Sequence, residues 1–120
     1  MKREFKIIAD LLPDNSRVLD VGCGDGTLMK YLSNEKSIDV RGLELNEENV
    51  ESCIAKGLSV IEGNAETELG QFPDKSFDFV ILSQTLQAFY SPVNVLDQLL
   101  RIGKASIVSI PNFGYWKVRA

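Results

Sequence analysis

Apolar residues recur along the chain with two different periods, which divide it into short strands and helices. Compact runs rich in β-branched and aliphatic residues predict five strands, at 17–21, 39–45, 58–61, 77–82 and 105–110. Apolar residues at helical spacing predict helices before Pro13, from Thr27, from Asn46 and from Pro92. The alternation of strands and helices predicts an α/β fold with a mostly parallel sheet and helices on both faces.

A glycine-rich loop follows the first predicted strand, at the end of the sheet where open α/β folds bind ligands. Gly22, Gly24 and Gly26 let the chain turn tightly and let a ligand approach the backbone. A dinucleotide fingerprint has its third glycine one residue later, and here an acid, Asp20, stands two residues before the first glycine. This arrangement favours the ammonium and carboxylate of the amino-acid end of S-adenosylmethionine (SAM) over a diphosphate. A plain strand-to-helix turn, capped by Asp20 and Asp25, is the alternative.

Polar residues also follow the second and third predicted strands. Glu44 closes the second strand at about the distance downstream where such folds place an acid on the ribose hydroxyls. After the third strand, Asn64 offers a side chain and Ala65 a backbone amide to the edge of an adenine ring. Alone, Glu44 would be a solvated strand end and residues 63–66 a turn with a helix cap. Together with the glycine loop they predict one nucleoside site.

Several segments resemble a known superfamily and, within it, a known family. Three segments resemble the first three motifs of the class I SAM-dependent methyltransferases. They are VLDVGCGDG at 18–26, GLEL at 42–45 and GNAE at 63–66. Nearly the whole chain resembles the MetW family of bacterial methionine-biosynthesis proteins. The resemblance includes the segments 53–61, 80–88, 100–103 and 107–116. The resemblance implies a Rossmann-like, SAM-dependent methyltransferase-like protein of the methionine pathway. It also implies that SAM or S-adenosylhomocysteine (SAH) is the cofactor and that a homoserine O-acyltransferase is a partner.

The resemblance further implies which residues contact the cofactor. Carried over to this chain, they are Asp20, Gly22, Cys23, Gly24, Glu44, Leu45, Asn64, Ala65, Leu82 and Ser83. Of these, Leu82 and Ser83 are expected beside the methionine moiety. Residues after the fourth strand are candidates for the acceptor pocket or for a helix start, namely Ser83, Gln84, Thr85 and Gln87. The sequence identifies no catalytic residue, because it has no His and no other arrangement that indicates a general base.

The chain is expected to form a single SAM-binding domain, 1–120, that stops soon after the fifth strand. A complete class I domain adds further strands and a helix, so this domain is expected to be truncated at its C-terminus. The edge of the sheet at 105–110 would then be uncovered. Because an uncovered edge strand can pair with another chain, self-association is expected there.

Composition narrows the function classes. A formal net charge of -4 over 120 residues gives no basic excess for nucleic acid. The absence of His, and two cysteines that are distant in sequence, predict neither a metal site nor a disulfide framework, and we expect Cys23 and Cys53 to be core residues. With no signal peptide and no apolar run near the roughly 20 residues of a membrane span, a cytoplasmic protein without a membrane partner is expected.

Two other functions stay open. A non-catalytic SAM-binding protein could regulate or activate the homoserine O-acyltransferase, and the lack of identifiable acceptor machinery favours this alternative. An NAD-dependent dehydrogenase is supported only by Glu44 as a ribose ligand, and the glycine spacing contradicts it.

Overall fold

A computed structural model describes residues 2–82, 86–110 and 114–119. Within these ranges the helices are α1 Arg3–Leu11, α2 Thr27–Lys36, α3 Glu47–Ala55, α4 Ala65–Glu68 and α5 Pro92–Ile102. The strands are β1 Arg17–Val21, β2 Asp39–Glu44, β3 Ser59–Glu62, β4 Phe77–Leu82, β5 Gly103–Ile110 and β6 Gly114–Arg119. Two short 3-10 turns, Leu69–Gln71 and Leu86–Ala88, follow α4 and β4.

The strands in the described part of the chain form a six-stranded sheet in the order β3-β2-β1-β4-β5-β6. The first five strands are parallel, and β6 runs antiparallel to β5. The predicted fold class, a mostly parallel α/β sheet with helices, is therefore confirmed. Strand order reverses at β1, because β2 lies on one side of it and β4 on the other. In open α/β sheets, ligands bind beyond the carboxyl ends of the strands at such a point.

Two apolar layers cover the two faces of the sheet. Successive residues of β1 point to opposite faces, so that Val18 packs with Ile8 and Leu32 in one layer while Leu19 packs with Leu99 in the other. The first layer holds residues of α1, α2 and α3, and the second holds residues of α5. Each fully buried aliphatic side chain contributes about 1.5–3 kcal/mol. This rigid sheet fixes the positions of the loops at its carboxyl edge.

The sixth strand corrects the expectation of an uncovered edge at 105–110. β6 pairs with β5 from Ala105 opposite Arg119 to Ile110 opposite Gly114. Antiparallel neighbours need only a short connection, and β6 begins four residues after β5 ends. Self-association through an exposed β5 was therefore a wrong prediction, because β5 is an interior strand of the sheet.

The other differences from the sequence prediction lie at element ends and in short helices. β2 ends at Glu44, β3 is shifted to Ser59–Glu62, and β5 begins at Gly103. Helix α4 was predicted only as the helix-cap alternative at 63–66, and its extent was not, because its four residues, AETE, show no apolar periodicity. It lies between β3 and β4 and follows the Gly63-Asn64 turn.

Candidate functional site

The glycine loop between β1 and α2 is built from left-handed backbone. Gly22, Gly24 and Gly26 have φ angles of 76°, 61° and 88°, which other residues rarely adopt. A Cβ at Gly26 would lie 2.6 Å from Leu58 Cδ1, whereas one at Gly24 would have no heavy atom within 4 Å. Gly26 is therefore required for packing of the loop, and Gly24 faces open space.

Glu44 fastens the glycine loop to the end of β2. Its Oε1 atom accepts a hydrogen bond from Gly24 N at 2.8 Å, and its Oε2 atom accepts one from Asn46 N at 2.9 Å. Each carboxylate oxygen has a second lone pair, so the group can still accept from the hydroxyls of a ribose. Glu44 is thus more than a solvated strand end: it connects the first two strand tips.

Asn64 caps helix α4 at the end of β3. Its Oδ1 atom accepts a hydrogen bond from Glu66 N at 2.9 Å, as the helix-cap alternative predicts. The cap uses one lone pair of the side-chain oxygen and none of the two amide N–H donors. The capping role therefore leaves Asn64 able to contact the edge of a base, and Ala65 follows it directly.

Two cavities meet at the tip of β1. The smaller, about 200 Å³, is lined by Gly22, Leu43, Leu45, Gly63, Asn64, Ala65, Glu66, Ala88, Phe89 and Tyr90. The larger, about 460 Å³, is lined by Lys2, Phe5, Asp20, Gly22, Cys23, Gly24, Asp25, Thr27 and Asn49. Gly22 belongs to both walls, so an elongated ligand could lie across the tip of β1 with one end in each cavity.

The structure brings together most of the predicted contact residues. Four of them line the larger cavity, Asp20, Gly22, Cys23 and Gly24, and Gly22 also lines the smaller one with Leu45, Asn64 and Ala65. Leu45 is 63% exposed, which leaves an apolar surface for a base. Leu82 ends β4 with its side chain fully buried in the core, and Ser83 lies outside the described residues, as do Gln84 and Thr85.

Sequence reasoning missed several wall residues that come from distant parts of the chain. Lys2 and Phe5 belong to the start of α1. Glu66 lies in α4, and Phe89 and Tyr90 precede α5. The GNAE segment pointed to the position of Glu66, but only the fold places its carboxylate beside the segment after β4. Nothing in the local sequence around Lys2 indicates that it faces the glycine loop.

The larger cavity contains a buried carboxylate beside the charged side chains of Lys2 and Asp25. Asp20 is only 1% exposed. Burial, followed by the charge of Asp20, raises the pKa of the neighbouring Cys23 thiol, and burial also raises the pKa of Cys53. The two Sγ atoms lie 3.9 Å apart, beyond the roughly 2.05 Å of a disulfide. Both cysteines are buried and free, which confirms the prediction that they are core residues.

Asp25 stabilises the start of α2. Its Oδ1 atom accepts hydrogen bonds from Thr27 Oγ1 at 2.7 Å and Thr27 N at 3.0 Å, and these bonds lower the pKa of the carboxyl group. Asp25 therefore supports the start of α2 from the position before its N-cap, Gly26, and is not itself the N-cap residue. Among the described residues, no three His, Cys, Asp or Glu side chains converge as metal ligands. Over the same ranges, no helix has the length and apolarity needed to cross a membrane.

Comparison of the sequence with known proteins points to one family. The family model described as "Methionine biosynthesis protein MetW" matches residues 2–120. A bifunctional methionine biosynthesis protein MetXA/MetW from Rhodopirellula baltica is 35% identical over 120 residues, which cover 93% of this chain and 19% of that protein.

Solved structures agree on the fold. A SAM-dependent methyltransferase from Thermotoga maritima is 30% identical with a TM-score of 0.72, over 89% of this chain and 49% of that one. The [4+2]-cyclase SpnF is 23% identical with a TM-score of 0.76, over 88% of this chain and 43% of that one. The chain spans less than half the length of each of these relatives. Because their names describe different reactions, the shared fold does not by itself define one.

Proposed function

Because the chain belongs to the MetW family of methionine biosynthesis proteins, we propose that it binds SAM or SAH across the tip of β1 as a methyltransferase-like protein. The observation that carries this proposal is the pair of cavities that share Gly22. Asp20 lies in one cavity, Asn64 lies in the other, and Glu44 binds the loop between them. We treat residues 1–120 as one SAM-binding domain, and its cytoplasmic location stays a prediction.

The larger cavity suits the amino-acid end of the cofactor. The buried carboxylate of Asp20 would attract the ammonium group, because the attraction between opposite charges is stronger away from water. The ammonium group of Lys2, which lines the same cavity, would attract the carboxylate. Gly24 is half-buried, and the absence of a Cβ at this position lets the ligand approach the backbone closely.

The smaller cavity suits the nucleoside end. Glu44 is not a wall residue of either cavity, but it lies between the wall residues Leu43 and Leu45, and its remaining lone pairs would accept from the ribose hydroxyls. Leu45 and Phe89 offer apolar surface to the adenine ring, and Asn64 offers polar groups to its edge. Bound SAM would supply a methyl group activated by its sulfonium, and proximity and alignment can account for much of such a transfer.

The experiment that tests the site is calorimetric titration of the 120-residue protein with SAM, SAH and NADH. We expect saturable binding of SAM and SAH but not of NADH. Glu44→Ala should weaken SAH binding by about tenfold or more, because a charge-assisted hydrogen bond contributes about 1.5–3 kcal/mol. Glu44→Gln keeps an acceptor for Gly24 N and should lose less. Glu51→Ala, an exposed site on α3, is the matched control. Failure of the folded protein to bind SAM or SAH would contradict the proposal.

A second candidate function is activation of a homoserine O-acyltransferase without catalysis. It is supported by the relative whose name joins MetXA and MetW in one bifunctional protein. A methyl-transfer assay and an acyltransferase assay, run in parallel with and without this protein and SAM, separate the two functions. Stimulation of the acyltransferase without methyl transfer would favour the regulatory function, and no stimulation would exclude it.

A further inference from the structure

The carboxylate of Glu66 joins the segment after β3 to the segment after β4. Its Oε1 atom accepts a hydrogen bond from Tyr90 N at 3.1 Å, and its Oε2 atom accepts one from Ser91 N at 3.0 Å. The backbone of Glu66 is fixed in turn, because its N–H donates to Asn64 Oδ1. One residue thus connects the cap of α4 to the start of α5.

The start of α5 is a suitable partner for this carboxylate. Ser91 is the N-cap of the helix and makes no side-chain capping hydrogen bond, so Glu66 provides an acceptor from outside the helix. A negative charge at this end is favoured by the helix dipole, and hydrogen bonds from N–H groups to a carboxylate are stronger than those to neutral acceptors. The connection is therefore stronger than an ordinary loop contact.

The segment that Glu66 holds forms a wall of the smaller cavity. Ala88, Phe89 and Tyr90 line this cavity together with Asn64, Ala65 and Glu66 itself. Phe89 packs against the apolar layer that contains α5, whereas Tyr90 is 98% exposed, so side-chain burial secures only part of the wall. The two hydrogen bonds to Glu66 hold the backbone of Tyr90 and Ser91, where the exposed Tyr90 side chain provides no packing.

From this geometry we infer that Glu66 is a positioning residue, which sets the width of the adenine side of the cavity by holding residues 89–91. The inference rests on the proposed function, because it assumes that the smaller cavity receives the nucleoside. Glu66 acts through the backbone of the wall and does not itself need to contact the ligand. Its removal should therefore weaken the binding of any ligand that carries adenosine, including adenosine alone.

The test compares Glu66→Ala, Glu66→Gln and the control Glu62→Ala, whose side chain is exposed on β3. Calorimetry with SAH and with adenosine should show affinities about tenfold weaker for Glu66→Ala, by a similar factor for both ligands. Glu66→Gln retains one carbonyl acceptor and should recover part of this loss. Hydrogen exchange without ligand should be faster at the amides of Tyr90 and Ser91 in Glu66→Ala.

The outcomes separate the inference from the proposed function. If wild type binds SAH and Glu66→Ala binds it equally tightly, the inference is wrong while the proposed function stands. A loss confined to SAH, with adenosine unaffected, also overturns it. If folded wild type binds neither ligand, the proposed function fails and the inference fails with it. Glu66→Gln keeps the test decisive should the alanine variant be too unstable to measure.

Discussion

Gly24 and Gly26 share a left-handed backbone, but their surroundings give them different functions. A side chain at Gly26 would overlap Leu58 and Cys53, so this position is restricted by packing as well as by φ. Gly24 lines the larger cavity, and a Cβ there would have no heavy atom within 4 Å. Gly57, with a φ of 77° and open surroundings, is a matched position outside both cavity walls.

We expect Gly24→Ala and Gly57→Ala to lower the free energy of unfolding by about 1–2 kcal/mol each, the cost of left-handed backbone in a non-glycine residue. Gly26→Ala should cost about 2–4 kcal/mol, because steric overlap adds to that strain. Only Gly24→Ala should also weaken SAH binding, by about tenfold. Urea unfolding and calorimetry measure the two effects, and equal SAH affinity for the Gly24 and Gly57 variants would contradict the prediction.

The buried thiols make stability depend on pH in the alkaline range. Burial raises the pKa of Cys23 and of Cys53 above the usual value of 9.0. The folded state therefore keeps both thiols protonated at a pH where the unfolded chain ionises them. Their contribution to stability is fully present below the unfolded pKa and is lost as the pH rises above it.

The free energy of unfolding should fall above about pH 9, with a slope of up to about 1.4 kcal/mol per pH unit for each thiol. Urea unfolding of wild type and of the Cys23→Ala, Cys53→Ala double variant at a series of pH values measures this slope. The double variant, although less stable at neutral pH, should show a shallower decline. An equally steep decline in both proteins would mean that other groups cause it.

At the scale of elements, Arg101 ties the last turn of α5 to the connection between α4 and β4. Its Nη1 atom donates to Phe72 O and Asp74 Oδ1, each at 2.7 Å, and its Nη2 atom donates to Leu69 O at 3.1 Å. Leu69 O also accepts from Phe72 N at 3.2 Å, so Arg101 adds a second donor there and supplies one to Phe72 O. This contact supports the same layer against which Phe89 packs.

We expect Arg101→Met to lower the free energy of unfolding by about 2–3 kcal/mol, because Phe72 O and Leu69 O each lose a charged donor and Asp74 loses its ion pair. Lys104→Ala removes an ion pair of 3.2 Å with Asp78 that is largely exposed, and should cost less than about 1 kcal/mol. Urea unfolding of the two variants provides the comparison. A larger loss of unfolding free energy for Lys104→Ala than for Arg101→Met would contradict the prediction.

Elements with many periodic apolar residues could be predicted from the sequence, whereas short polar ones could not. The strand Phe77–Leu82 and the helix Pro92–Ile102 have the predicted bounds, because their burial imposes a pattern over the whole element. Helix α4 has too few residues for any period. Strand β6 was missed because its partner, β5, was interpreted as the end of the sheet.

The candidate site was predictable to the extent that its residues directly follow strands. Asp20, Glu44 and Asn64 could be named because the parallel sheet places all strand ends at one edge. Lys2 and Glu66 could not, since their positions depend on how helices pack against that edge. Contacts between residues distant in sequence leave no local pattern.

At the scale of the whole molecule, β6 closes one side of the sheet. Each β5 residue from Ala105 to Ile110 has a partner on β6, so the backbone groups of β5 are bonded on both sides over the range that β4 also reaches. The outer strands of the described sheet are β3 and β6. Loss of β6 would therefore make β5 an outer strand in its place.

Removal of residues 111–120 should expose the edge of β5 and increase self-association relative to the 120-residue chain. Sedimentation velocity over a range of concentrations measures this change. Circular dichroism on the same samples verifies that the shortened protein remains folded. A shortened protein that is folded and no more associated than the full chain would contradict the prediction.

The position of α1 has a practical consequence for anyone who produces this protein. Lys36 donates to the carbonyl groups of Ala9 and Leu12 and so holds the end of α1 against α2, while Lys2 and Phe5 at its start line the larger cavity. A purification tag joined ahead of Lys2 would emerge at the mouth of that cavity, where a flexible polypeptide competes with ligand for space. Affinities should therefore be measured on protein from which such a tag has been cleaved.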